Sequence, residues 1–241
     1  MTREANEDER GGRLFAIGDV HGCSTALRAL LGAIDPRPDD TIVTLGDYID
    51  WGPDSRGVIE TLIDLSGKRH LIPLLGNHEE MLLGAQESGS ELRYWLQFGG
   101  EDTLNSYEYD GGADMVPREH LKFLRGCRDY YETPTHIFVH ANYDSRLPMD
   151  RIGGTKLRWE HLDIDHQRPH FSGKTVVVGH TPQTSGEVLN LGFLIGVDTD
   201  CSRGGWLTAF EVGEGVAHQA NQLGQLRRRT VAGNFSAGPT G

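Results

Sequence analysis

Cysteine is scarce in this chain. There are three in 241 residues (Cys23, Cys127 and Cys201), and no CxxC spacing among them. A disulfide framework is thereby excluded, and a reducing cytoplasm suits the composition. Long apolar runs are missing too, the longest being of strand length, so no segment is expected to cross a membrane. The opening MTREANEDERGGR is polar and acidic with no apolar stretch, so no secretory leader is expected. Basic charge is in short supply, with 23 Lys and Arg against 35 Asp and Glu and a net charge of −12. A broad nucleic-acid footprint needs a basic stripe that displaces counterions, and this balance argues against one. The run Arg227-Arg228-Arg229 is too short and too near the end to reverse that, and reads as a solvated, flexible end. An acidic protein can still bind phosphates if it first binds cations.

No internal repeat, low-complexity tract or interdomain linker interrupts the chain, and its length suits one domain with a substantial core. Residues 1–12 are charged and aperiodic and read as disordered; 13–223 read as the folded domain and 224–241 as a flexible tail. The apolar run Leu14–Ile17 reads as a strand. After Ser24, a candidate N-cap, Leu27, Leu30, Leu31 and Ile34 follow helical spacing until Asp35-Pro36 stops them. Thr41–Leu45 and Leu71–Leu75 are two more short strands, each followed by a helical pattern. Three strand–loop–helix units in succession predict right-handed crossovers and a largely parallel sheet. Residues 88–133 read as a helical insertion over one sheet edge that could serve as a cap. Strands resume at His136–Val139, Lys174–Val178, Phe193–Val197 and Trp206–Val212, with short connections that suggest more antiparallel pairing.

The first three strands all run into a glycine and a potential ligand. Leu14–Ile17 leads to Gly18-Asp19-Val20-His21, Ile42–Leu45 to Gly46-Asp47-Tyr48-Ile49-Asp50, and Leu71–Leu75 to Gly76-Asn77-His78-Glu79. Two later strands run into His140 and into Gly179-His180. Taken singly, each has a plainer explanation: Asp-Gly turns end strands, Asn77 can cap a helix, and a histidine can end a strand. Those explanations must all hold independently, whereas one metal centre accounts for five strand ends together. Carboxyl ends of neighbouring parallel strands share an edge where open α/β folds build their sites, so Asp19, His21, Asp47, Asn77, His140 and His180 should meet there. Oxygen and imidazole donors without thiolate suit manganese first, with iron or zinc as alternatives. Six protein ligands exceed what one ion with open positions can use, so two ions are expected, with Asp47, from the middle strand, as the bridge. Such a pair, about 3.5–4 Å apart, clamps a phosphoryl group and acidifies a bound water.

In order, GDVHG, GDYIDWG, GNHE, His140-Ala141 and GHTP resemble the motifs of metallophosphoesterases of the phosphoprotein phosphatase type. That group includes bacterial Ser/Thr phosphatases and symmetrical diadenosine tetraphosphatases. The resemblance runs from about Leu14 to Val212. It implies an α/β fold, a calcineurin-like sandwich of two mixed β-sheets flanked by helices. It also implies that Asp19, His21 and Asp47 hold one ion, and Asp47, Asn77, His140 and His180 the other. His78 would be the general acid on the leaving oxygen, with Asp50 holding its imidazole; no covalent phosphoenzyme is needed when a metal-bound hydroxide attacks in line.

The chain departs from the family pattern at one telling point. The second motif normally reads GDxxDRG, its arginine gripping phosphate, and here the position is Trp51, which cannot make that bidentate contact. A second family arginine follows a Leu-Trp pair, whereas here Leu157-Arg158-Trp159-Glu160-His161 puts arginine before tryptophan. Arg158, Arg56 and Arg203 are the candidates to compensate, and Trp51 itself could stack on a nucleobase or a phenyl leaving group. The reading is a metal-dependent, Ser/Thr-phosphatase-like phosphomonoesterase acting on a phosphorylated protein or a small phosphoester. A symmetrical dinucleoside tetraphosphate hydrolase is the enzymatic alternative, and a catalytically impaired metal-binding regulator the non-enzymatic one.

Overall fold

The computed structural model describes residues 11–233 apart from residue 113. The expected disordered N-terminus, Gly11 and Gly12 aside, lies outside the described residues, as do residues 234–241. In chain order the elements begin β1 (Leu14–Ile17), α1 (Ser24–Ile34), β2 (Thr41–Thr44), α2 (Ser55–Ser66), β3 (His70–Pro73) and α3 (Asn77–Ala85). The helical segment α4 (Gly89–Trp95), α5 (Glu101–Ser106) and α6 (Arg118–Arg125) follows. Then come β4 (Tyr130–Glu132), β5 (His136–Val139), α7 (Gly154–Arg158), β6 (Thr175–Val178), β7 (Leu189–Asn190) and β8 (Leu194–Gly196). The chain closes with β9 (Asp198–Thr199), β10 (Trp206–Glu211), β11 (Val216–Ala220) and β12 (Leu226–Thr230).

Among the described residues these strands form two sheets. One runs β12-β11-β10-β1-β2-β3 with β9 beside β10, and the other runs β4-β5-β6-β8-β7. The expected βα units are present, with β1, β2 and β3 parallel in register. Period-two alternation sorts their side chains: Phe15 and Ile17 join Leu27, Leu30, Val58 and Ile59 under the helices, while Ala16 faces inward. Between the sheets Ala16, Val43 and Ile72 pack against Phe138, Val177 and Ile195. On the far side Ile137, Val139, Val176 and Val178 pack with Tyr143, Met149 and Leu157. Both faces of the inner strands are buried, which is why their sequence is continuously apolar.

Three expectations need correction. The later half is mainly antiparallel as expected, with β5, β6 and β8 as the parallel exception, but its connections are not all short, since residues 140–174 form a long crossover containing α7. Ser24 is the first residue of α1 and not its cap, its hydroxyl donating to Asp54 instead. The stretch read as a flexible tail carries β12, antiparallel to β11. Its arginines are ordered by partners the local sequence does not reveal. Arg227 donates to Gln219 Oε1 and to the Gly186 carbonyl, both at 2.6 Å, and lies over the Trp206 ring. A charged edge strand of this kind also discourages pairing with other chains.

The 88–133 segment packs on the domain and reaches the strand-end region. α4 lies against α3, and α5 and α6 lie against α2. Between α4 and α5 the chain kinks, with Phe98 and Gly99 leaving helical backbone angles. Gly99 there has φ +94°, and a Cβ on it would collide with the indole of Trp51.

Candidate metal centre and active site

Residues at the carboxyl ends of five strands from both sheets come together, and their backbone is under strain. His21, Asp47, Asp50, Trp51, His180 and Asp200 all have left-handed φ (42°, 51°, 70°, 63°, 59° and 63°). Only Asp35 and Glu108 among the other described non-glycine residues do so. Left-handed backbone costs about 1–2 kcal/mol per such residue, so these turns persist only where their surroundings fix them. Glu79 is a large part of that fixation. Fully buried on the first turn of α3, its carboxylate accepts from the amides of Asp47 (2.8 Å), Tyr48 (2.7 Å) and Gly76 (3.1 Å). Each such bond contributes about 0.5–1.5 kcal/mol, enough together to offset the strain of the Asp47 turn. Gly46 (φ +104°) lets this turn approach Gly76 closely; a Cβ there would lie 2.6 Å from the Gly76 nitrogen.

The imidazoles are oriented by backbone carbonyls. His21 donates from Nδ1 to the Ile49 carbonyl (2.8 Å), His140 from Nδ1 to the Leu45 carbonyl (2.7 Å), and His180 from Nε2 to the Trp159 carbonyl (3.1 Å). A carbonyl only accepts, so each ring turns its remaining nitrogen, a lone pair when neutral, inward. Burial lowers the pKa of all three. His21 falls well below its ordinary value, helped by the charge of His78, and His140 does so with help from His180. His180 drops to about 4, with His161 adding to the burial effect. The inward lone pairs then face one another and Asp47. His140 Nε2 lies 3.2 Å from His180 Nδ1, 3.1 Å from Asn77 Oδ1 and 3.5 Å from Asp47 Oδ1, and His21 Nε2 lies 3.5 Å from Asp47 Oδ2. Acceptors facing acceptors in a buried site repel unless a cation sits between them. The donor set therefore fits divalent ions.

The ligand atoms sort into two groups that share Asp47: His21, Asp47 and His78, and Asp47, His140 and His180. Asn77 joins the second through its contact with His140. Asp19 is buried at the same place, but both its carboxylate oxygens accept from the His180 amide (3.1 and 3.0 Å), and it belongs to neither group. His78 donates from Nδ1 to Asp50 Oδ2 (2.7 Å) and presents Nε2 toward Asp47 Oδ2 at 4.0 Å. Burial alone would lower the pKa of His78, but the charge of Asp47 and the hydrogen bond and charge of Asp50 push it up to about 9.

Several members of the site escaped sequence reasoning. Asp50 is held by Trp95 Nε1 (2.9 Å to Oδ2) and by the Thr103 hydroxyl (2.6 Å to Oδ1), both from the helical insertion. No spacing rule singles those two out. Asp198 is buried beside Asp19, and burial raises its pKa to about 7, with Asp47's charge adding to the rise. It follows the expected strand Phe193–Val197 directly, so the rule that found the other ligands could have found it. His161 stacks on His180 with centroids 4.4 Å apart. Of the candidate arginines, Arg56 pairs with Glu60 (2.8 Å) on α2, and the Arg158 terminal nitrogens bind Glu80 (2.7 Å) and Asp129 (2.6 Å). Trp51 is 38% exposed and lies between His21 and His78, centroids 4.3 and 4.6 Å away.

The carboxylates of this site make metal-free protein sensitive to alkali. Burial raises Asp198 to about 7, and burial with Asp47's charge raises Glu79 to about 8. An acid with a raised native pKa binds more protons folded than unfolded, so its contribution falls as pH rises toward that value; His78, raised to about 9, acts in the same direction. Chelator-treated protein should thus lose about 2 kcal/mol or more between about pH 6.5 and 9, measured by urea unfolding. Manganese should flatten the slope by replacing protons near Asp47. A level profile in the metal-free protein would show that these groups are not repelling one another.

The model of the calcineurin-like phosphoesterase family matches residues 12–208. A serine/threonine-protein phosphatase 1 of Salmonella typhimurium is 29% identical over 204 residues, covering 81% of this chain and 89% of that protein. A symmetrical bis(5'-nucleosyl)-tetraphosphatase of Acidovorax is 41% identical over 73 residues, but that spans only 30% of this chain and 25% of that protein. Among solved structures, the cold-active protein-tyrosine phosphatase of a psychrophilic Shewanella superposes with a TM-score of 0.66 at 18% identity, covering 90% of this chain and 80% of the other, a likeness of fold.

Proposed function

The chain belongs to the calcineurin-like phosphoesterase family, and from that premise we propose a two-metal phosphomonoesterase of the Ser/Thr-phosphatase type. The observation that carries this reading is the convergence of inward imidazole nitrogens on Asp47. In the proposal His21, Asp47 and Asp19 hold one ion, Asp19 by turning from the His180 amide. Asp47, Asn77, His140 and His180 hold the other. Manganese is the first choice, with iron or zinc as alternatives. Bound there, the ions supply Lewis acidity toward the phosphoryl oxygens and a nucleophile at neutral pH. The chain's own residues do the rest. His78 donates from Nε2 to the departing oxygen, and Asp50 fixes the ring through Nδ1 and favours its protonated form. Trp95 and Thr103 hold Asp50 in turn. The three free thiols accord with a reducing compartment, and the proposal places the enzyme in the cytoplasm.

Trp51 favours a phosphoester with an aromatic group. Its partly exposed indole borders His21 and His78, where a leaving group would lie. The same surface would suit adenine, which keeps dinucleoside tetraphosphate hydrolysis as the second reading. Catalytic impairment is disfavoured by the intact His78–Asp50 pair. The test compares p-nitrophenyl phosphate, a phosphoserine peptide and diadenosine tetraphosphate on manganese-loaded protein. Aryl phosphate should turn over best, and Trp51→Arg should shrink its advantage over the peptide by about 10-fold, the worth of an aromatic contact. Faster cleavage of diadenosine tetraphosphate would favour the second reading, and an unchanged ranking in the variant would remove Trp51 from substrate choice.

A further inference from the structure

We propose that Arg203, held over Trp51, is the residue that grips the substrate phosphate in this site. Resting on the phosphoesterase reading above, this gives that site a specific anion clamp. Phosphate must enter an acidic protein, and a guanidinium with free donors is the group that matches its oxygens bidentately. Arg56 pairs with Glu60 through Nε, and Arg158 with Glu80 and Asp129 through its terminal nitrogens. Arg203 does not: among the described residues its guanidinium makes neither an ion pair nor a side-chain hydrogen bond, and the residue is exposed. It is nevertheless placed. Its Cζ lies 4.7 Å over the Trp51 ring, and that ring touches His21 and His78. A cation over an indole face is attracted to it while its N–H edges stay available to a ligand.

The turn that carries Arg203 is built to hold one position. Cys201–Arg203 form a single 3-10 turn between two left-handed residues, Asp200 (φ 63°) and Gly204 (φ 93°). Cys201 is buried in the core under the helices, and Gln222 Nε2 donates to the carbonyls of Cys201 (3.1 Å) and Ser202 (3.2 Å). The loop descends directly from β9 and the buried Asp198, so Arg203 arrives on the metal side of the sheet edge. Trp51 thus acts as a platform: the position that lacks a guanidinium of its own presents one from a distant part of the chain.

The test uses manganese-loaded full-length protein and two readouts, the calorimetric affinity for inorganic phosphate and the kinetics of p-nitrophenyl phosphate hydrolysis. Arg203→Ala should weaken phosphate binding by about 10- to 100-fold and raise KM comparably, with metal content unchanged. Arg203→Lys, which keeps charge without the fork, should fall between. The double variant Trp51→Arg with Arg203→Ala should regain most of the lost affinity, because the guanidinium returns from the neighbouring position. Phosphate affinity within twofold of wild type in both Arg203 variants, while wild type binds and hydrolyses normally, would overturn the clamp and leave the phosphoesterase reading standing. Wild-type protein that holds its metals yet neither binds phosphate nor hydrolyses phosphoesters would overturn both. The residue is exposed, so folding should survive either substitution.

Discussion

Replacing Asp47 with Asn is expected to reduce phosphoester turnover by at least about 10³-fold and to cut bound divalent ions from two per chain to one or none. Both candidate metal groups contain Asp47, and they meet nowhere else. Its oxygens divide between them, Oδ2 toward His21 and Oδ1 toward His140, each at 3.5 Å. Asparagine keeps the shape but offers one oxygen and places an N–H₂ donor against an imidazole lone pair. Both groups then lose the shared negative charge, and one of them loses its oxygen ligand whichever way the amide turns. Fold loss should be small: the Glu79 contact uses the backbone amide of residue 47, which the substitution preserves. Elemental analysis beside a kinetic assay and a thermal melt separates the outcomes. Two ions and near-normal turnover in the variant would mean that Asp47 does not bridge.

Replacing His78 with Asn should lower kcat toward a phosphoserine peptide by about 10²- to 10⁴-fold, the usual contribution of a positioned acid. The loss on p-nitrophenyl phosphate should be smaller, because its phenolate departs without a proton. That split between substrates reports proton donation, which a merely structural role would not produce. Metal content decides a further point. His78 Nε2 falls within the group of His21 and Asp47, so it has the reach of a ligand as well as an acid. The acid role is favoured by the Nδ1 bond to Asp50 (2.7 Å), which holds the ring and favours its protonated form, since an imidazolium gives a proton and does not ligate. Two retained ions in His78→Asn would accord with the acid role; one lost ion would make it a ligand in place of Asp19.

The candidate site was legible in the sequence because its candidate ligands obey a local rule. A strand ends, a glycine or a turn follows, and a donor appears: Asp19, His21, Asp47, Asn77, His140 and His180 all lie within four residues of such an end. Parallel pairing of β1, β2 and β3 followed from the βα order, and those three ends do line one edge. The convergence of β5 and β6 from a second sheet did not, because nothing local says which sheet a strand joins. Residues that act at long range were hidden for the same reason. Trp95 and Thr103 reach Asp50 across 45 and 53 residues of chain, and their own surroundings read only as helix. Arg203 could be named as a candidate but not chosen, since the choice depends on which arginines other carboxylates have claimed. β12 was lost to its charge: three consecutive arginines look like a solvated tail until Gln219, Gly186 and Trp206 are seen to receive the first of them.

The central claim is that this site seats two cations around one shared carboxylate. Anomalous scattering from crystals of manganese-loaded protein addresses it most directly. The account expects two peaks flanking Asp47, one beside His21 and the other beside Asn77, His140 and His180, with two ions per chain by elemental analysis. A single peak, or none at saturating metal, would contradict it.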